Sequence, residues 1–345
     1  MVSMSVIIAV VVAAVLAWGS WSVVRRAITG SRRNSVPVRE LPAALDLDAV
    51  CVFRHEFGAS LAALLAGGSV CVLIWNAGTW WPEWYGLPYA LAGLIGAIAG
   101  LTAYNLYPRS GWAADPSHRT HAELTPRRPT SFARQWVFTL PLTTSLILIL
   151  GLVLTGLFSS TDENGLHRTY QHLGIAGWST ENGRVVDVHY SMGNSGPFPG
   201  WYYGIPVMIS AALLILAVYW SLRRIASAAR PTSPDLFQID TTLRTLRTVF
   251  VMAASSAALA FEVAGLLAVT GNVLRSSSSE PVPTADTSAV VEWVPIEPSH
   301  SIAVVVTLCS VVVAVAALVL FLTAISVIRD FWSVVGARNA ASVLT

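Results

Sequence analysis

Seven stretches of this chain are apolar for long enough to cross a lipid bilayer: Met4 to Val24, Gly58 to Trp75, Tyr89 to Tyr107, Trp136 to Phe158, Ile205 to Leu222, Val249 to Thr270 and Ile302 to Ile328. A hydrocarbon core of ~30 Å needs roughly 17 to 25 helical residues at about 1.5 Å each, and every run supplies them. Lipid offers no water to a backbone N–H or C=O, so such a run must pair its own groups and is helical. The expected fold is therefore all-α, a polytopic transmembrane helical bundle of about seven spans. Composition excludes the soluble alternative, since 54% of residues are hydrophobic, 12% are charged and the mean hydropathy is +0.62.

The basic residues orient the spans, because arginines in short loops resist translocation. With the N-terminus outside, the cytoplasmic segments collect every basic residue except Arg168, Arg184 and Arg275. Acidic residues in the loops divide evenly, so the inner face is net positive and suits anionic headgroups. All 21 basic residues are Arg, which is read as coding bias in the source genome. Met4 to Val24 lacks a basic n-region and its Arg25-Arg26 pair follows the apolar run, so a retained helix is expected in place of a signal peptide. Cys51, Cys71 and Cys309 have neither disulfide nor metal spacing.

The chain also looks internally repeated. The first span ends in Trp21-Ser22-Val23-Val24-Arg25-Arg26 and the fifth in Trp220-Ser221-Leu222-Arg223-Arg224. A Pro-containing polar stretch follows each, then an Asp-bearing amphipathic lead-in, Pro42 to Arg54 in one case and Pro234 to Arg247 in the other. Spans one to three and five to seven would be parallel copies joined by span four, a 3+1+3 arrangement. The expected organisation is a first three-helix membrane unit over 1–110, a cytoplasmic loop and connecting span over 111–158, an outside loop over 159–204, a second three-helix unit over 205–328, and a cytoplasmic tail over 329–345.

Ala59, Ala63 and Gly67 in the second span, and Ala92, Gly96 and Gly100 in the third, recur every four residues and permit close backbone approach. Trp80, Trp81, Trp84 and Tyr85, and again Trp201, Tyr202 and Tyr203, are placed as headgroup anchors. Outside, the alternation of Gly183 to Tyr190 after an Asn182-Gly183 turn signal predicts a strand, and Ala289 to Val294 a second. Together they would form a small cap of loops and short strands.

Candidate chemistry is sparse. Glu262 is the only ionisable residue deep in any of the seven runs and is the candidate intramembrane carboxyl, for proton coupling or substrate binding. The bland alternative is a neutral Glu bonded to neighbouring hydroxyls. Gly193-Asn194-Ser195-Gly196 matches the GxSG string of rhomboid proteases, but no run contains a histidine, so a turn feeding Trp201 is expected. The missing histidines also exclude intramembrane haem held by axial imidazoles. His118 and His121 read as a solvated loop between Pro116 and Pro126. Asp46, Asp48 and Asp240 could dock a cytoplasmic partner protein or ATPase, while Asp240 and Arg244 more simply form an i, i+4 helix pair. No Walker A, GxGxxG or HExxH motif is present. No catalytic residue, cofactor, metal or nucleic-acid partner is expected.

Pro197 to Pro206 (PFPGWYYGIP), Trp220 to Ala226 (WSLRRIA) and Pro234 to Arg244 (PDLFQIDTTLR) together resemble a family of uncharacterised polytopic membrane proteins of actinobacteria. The resemblance covers mainly residues 197–250 and implies a bacterial inner membrane, with no activity or site residues attached. The expected function is a non-enzymatic, transport-related membrane component, alone, self-associated or with a partner. The competing expectations are an envelope sensor using the 159–204 loop, then a structural scaffold.

Overall fold

A computed structural model describes residues 47–108, 132–133, 135–181, 184–228, 231, 236–283 and 291–343. The first expected span, Met4 to Val24, lies outside the described residues, as do Asp46 and the loop with His118 and His121. Six α-helices follow in chain order: α1 (Leu47–Trp80), α2 (Leu87–Leu106), α3 (Gln135–Leu157), α4 (Trp201–Ser227), α5 (Phe237–Ser277) and α6 (Ser299–Val343). All six are long and apolar enough to cross a membrane. They coincide with six of the seven apolar runs.

The helices outrun the apolar stretches that announce them. No proline or glycine separates the lead-in at Asp48 to Arg54 from the second span, or Asp240 to Arg247 from the sixth. Each lead-in is accordingly continuous with its span, giving helices of 34 and 41 residues. Charged residues that read as loop charges thus stand on helical turns with a defined face.

Between α1 and α2 the chain reverses through a 3-10 turn at Pro82–Trp84. Tyr85 and Gly86 both take left-handed backbone, at φ 48° and 85°, and the Tyr85 N–H closes the turn on Pro82 O at 2.9 Å. Glycine adopts such a φ without steric penalty, and Pro88 in the first turn of α2 lacks an N–H the helix would leave unpaired anyway. Trp80, Trp81 and Trp84 at this reversal are exposed, and the Trp81 and Trp84 rings stack at 5.8 Å.

The chain divides into two compact units. One comprises Ile147–Met208 and Glu262–Val315 among the described residues. It carries two small antiparallel sheets, one of three strands ordered β1 (Ser160–Thr161), β2 (His167–Glu181), β3 (Arg184–Ser195), and a hairpin of β4 (Ser279–Pro283) with β5 (Val291–Pro295). Both expected strands exist, as β3 and β5, but each pairs with a neighbour the alternation pattern did not reveal. The cross-strand pair Glu181 and Arg184 flanks the Asn182-Gly183 signal. β2 was hidden because Gly174 and Gly177 interrupt its alternation, and the register shifts between Ile175 and Gly177.

Asp162 ties this sheet to its root. Its Oδ1 accepts the N–H groups of Asn164 at 2.9 Å and Leu166 at 2.8 Å, and its Oδ2 accepts from Arg168 Nε. Arg168 also engages the Tyr203 phenol in the first turn of α4, and its carbonyl accepts the Phe198 N–H at 2.8 Å. Ser195 is the last residue of β3, paired with Tyr170, and the chain turns into α4 after it. Gly200 is obligatory in that turn, since a Cβ there would collide with the His167 carbonyl and Ser159.

The other unit comprises the described part of Ser22–Leu146, with Ile209–Phe261 and Ala316–Thr345. Its α1 and α2 pack antiparallel along the expected small-residue stripes. A Cβ on Gly67 would lie 2.9 Å from Gly96 O, and one on Gly100 2.8 Å from Ala63 O. Without side chains the two backbones reach dispersion contact along their length.

Candidate functional site

The charges that end up buried sit where α1 and α5 begin and α2 and α4 finish. Glu56 lies two turns into α1 and is 1% exposed; Arg247, in the third turn of α5, is 5% exposed. Arg247 Nη2 donates to Glu56 Oε1 at 2.5 Å, and Tyr104, fully buried near the end of α2, donates its hydroxyl to Glu56 Oε2 at 3.1 Å. Next on α2, Asn105 Nδ2 donates to Ser221 Oγ on α4 at 2.8 Å, and that hydroxyl passes its own proton to Ala217 O. Ser221, Asn105, Tyr104, Glu56 and Arg247 therefore form a polar belt across four helices. Phe250 packs on the Tyr104 ring at 5.4 Å between centroids, and the fully buried Phe53 and Phe331 rings lie 6.2 Å apart.

One turn earlier on α5, Arg244 closes the α4 end. Its Nε donates to Asp240 Oδ2 at 2.8 Å, which is the expected i, i+4 pair. Both partners are buried, however, and the rest of the guanidinium serves α4: Nη1 donates to Ile225 O at 2.8 Å and Nη2 to Ala228 O at 2.9 Å. These are carbonyls that the last turn of a helix leaves without partners, at the end where the helix dipole favours a cation. The Phe132 ring lies 5.5 Å from the guanidinium carbon. Arg244 thus joins the C-terminus of α4 to the first turns of α5, and is the largest fully buried side chain described.

Glu262 comes later in the sequence of α5, is half-buried, and takes no hydrogen bond or ion pair among the described residues. Ser195 belongs to the strand and lies in no helix. Among the described residues no group of three or more His, Cys, Asp or Glu side chains is disposed to hold a metal ion.

No protein-family model matches the chain, and no curated protein or solved structure matches it significantly. The site therefore has to be read from its own chemistry.

The sequence singled out Asp240, Arg244 and Glu262, of which the first two join the buried charges, and passed over Glu56, Arg247 and Tyr104. Glu56 precedes the second apolar run by two residues and Arg247 precedes the sixth by two, so both counted as loop charges. The available signal was the spacing of Asp240, Arg244 and Arg247, at i, i+4 and i+7, which puts all three on one helical face.

Proposed function

We propose that this chain is a non-enzymatic, transport-related component of a bacterial cytoplasmic membrane, crossing it seven times with the N-terminus outside and the C-terminus in the cytoplasm. The observation that carries the reading is Glu262, an unpartnered carboxyl among the described residues in the interior of a 41-residue apolar helix. Placing an ionisable group at the centre of a span costs about 2.5 to 3.5 kcal/mol on insertion scales, and such residues mark ion or proton pathways. The orientation rests on the arginine distribution, and the belt at Glu56 and Arg247 then falls at the cytoplasmic ends of the helices.

The test is proton movement in liposomes containing the purified protein, with an imposed pH gradient and an internal pH-sensitive dye. Glu262→Gln keeps the shape and removes the titrating group. The expected result is gradient dissipation by the wild type that Glu262→Gln loses. Equal dissipation by both proteins removes the coupling role.

A second reading, an envelope sensor, draws on the β2 and β3 hairpin. Leu173 and Met192 are cross-strand partners on one face and Tyr190 lies beside them, all about 60% exposed. An apolar strip on a long ribbon suits contact with another molecule. Replacing all three with Ser would abolish signalling under this reading and leave proton movement intact.

A further inference from the structure

The ion pair between Arg247 and Glu56 is geometrically incomplete. In a guanidinium, Nε–H and one Nη–H point the same way and together match two oxygens. Glu56 does not fill that fork, because Oε1 takes Nη2 of Arg247 and Oε2 is turned to the Tyr104 hydroxyl. Arg247 Nε is buried and has no hydrogen-bond partner. On α1 and α2 two further polar atoms share that condition: Ser60 Oγ, one turn from Glu56 on the same face of α1, and Asn105 Oδ1, next after Tyr104 on α2. Both residues are fully buried.

An unpaired donor of a charged group among apolar side chains is costly, and proteins satisfy such groups with another polar atom or an ordered water. Arg247 Nε needs an oxygen to donate to, and this need is the one that belongs to a charged group.

We propose that Arg247 Nε marks a binding site for a hydrogen-bond-accepting oxygen, which completes the fork that Glu56 half fills. Two sources offer the same chemistry: an internal water, or one oxygen of a small carboxylate or phosphate. Either would accept the hydrogen bond that Nε–H offers. The site does not involve Glu262, so it stands or falls independently of proton coupling.

The arginine Nε–H group is directly visible in nitrogen-15 NMR, which makes the proposal testable on the full chain in detergent micelles with labelled arginine. Arg247→Lys retains a cation for Glu56 and deletes Nε, so the resonance it removes is that of Arg247. Should that variant not fold, Tyr104→Phe identifies the same resonance by shifting it, because it removes the hydroxyl that donates to Glu56 Oε2. The expected signal exchanges slowly with solvent. A cross-peak from this proton to water, unchanged by acetate, assigns the oxygen to an internal water. A progressive, saturating shift on titration with sodium acetate or inorganic phosphate at constant ionic strength, absent with chloride, assigns it to an oxyanion. An Arg247 Nε–H with neither a water cross-peak nor an anion-dependent shift overturns the proposal.

Discussion

Arg247 reaches Glu56 at 2.5 Å across 191 residues of chain, and the two side chains are among the most buried charges of the described residues. A pair in this setting stabilises less than its geometry suggests, because both ions leave water to form it. Its worth shows when only one partner is removed.

Glu56→Leu and Arg247→Met should each destabilise by about 3 to 5 kcal/mol, since each removes the counter-ion of a buried charge. The double variant should recover most of that loss. Thermal unfolding of the four purified proteins in one detergent closes the cycle. A double variant whose loss equals the sum of the two singles would show that the ions act separately.

The α1 and α2 contact makes a contrast between adjacent residues. Gly67→Val must push against Gly96 O, which a Cβ would approach to 2.9 Å, and overpacking of this kind costs about 1 to 3 kcal/mol. Gly68→Ala meets nothing within 4 Å and relieves a helix of glycine, so it should be neutral or stabilising by up to about 1 kcal/mol. Midpoints of heat-induced aggregation in detergent should fall for the first and hold or rise for the second.

Acid should loosen the root of the β2 and β3 hairpin. Burial works against ionisation of Asp162, but the Leu166 N–H, the Arg168 guanidinium and the Asn164 N–H outweigh it and hold the carboxyl below its ordinary value. A carboxyl depressed in the folded state stabilises above its unfolded pKa of about 3.9 and loses that contribution as pH falls through the folded value. Hydrogen exchange of the 162–168 amides, corrected for intrinsic rates, should therefore accelerate below about pH 4. In Asp162→Asn the same amides should exchange fast already at neutral pH, with no further acid step. A wild-type profile flat through that window would refute the assignment.

Much of this was legible beforehand, for a physical reason. Membrane-crossing helices are specified by uninterrupted apolar runs, a one-dimensional property, and each of the six described helices contains the run expected for it. The small-residue stripes were equally readable, because i, i+4 spacing at Ala59, Ala63 and Gly67 fixes a face of one helix without reference to any other.

What the sequence could not decide is which polar groups meet. Glu56, Tyr104, Ser221 and Arg247 come from four helices, and nothing local in any of them distinguishes a charge bound for a polar belt from one left in a loop. The strand partners β2 and β4 were undecided for the same reason, since pairing is a relation between segments and a glycine-interrupted strand carries too little pattern alone. Apolar length determined that this chain makes long helices suited to a bilayer. Tertiary contact alone decided that Arg244 would close the end of α4 and that Arg247 would face Glu56, because burial of a charge is favourable only where its partner is already held in place.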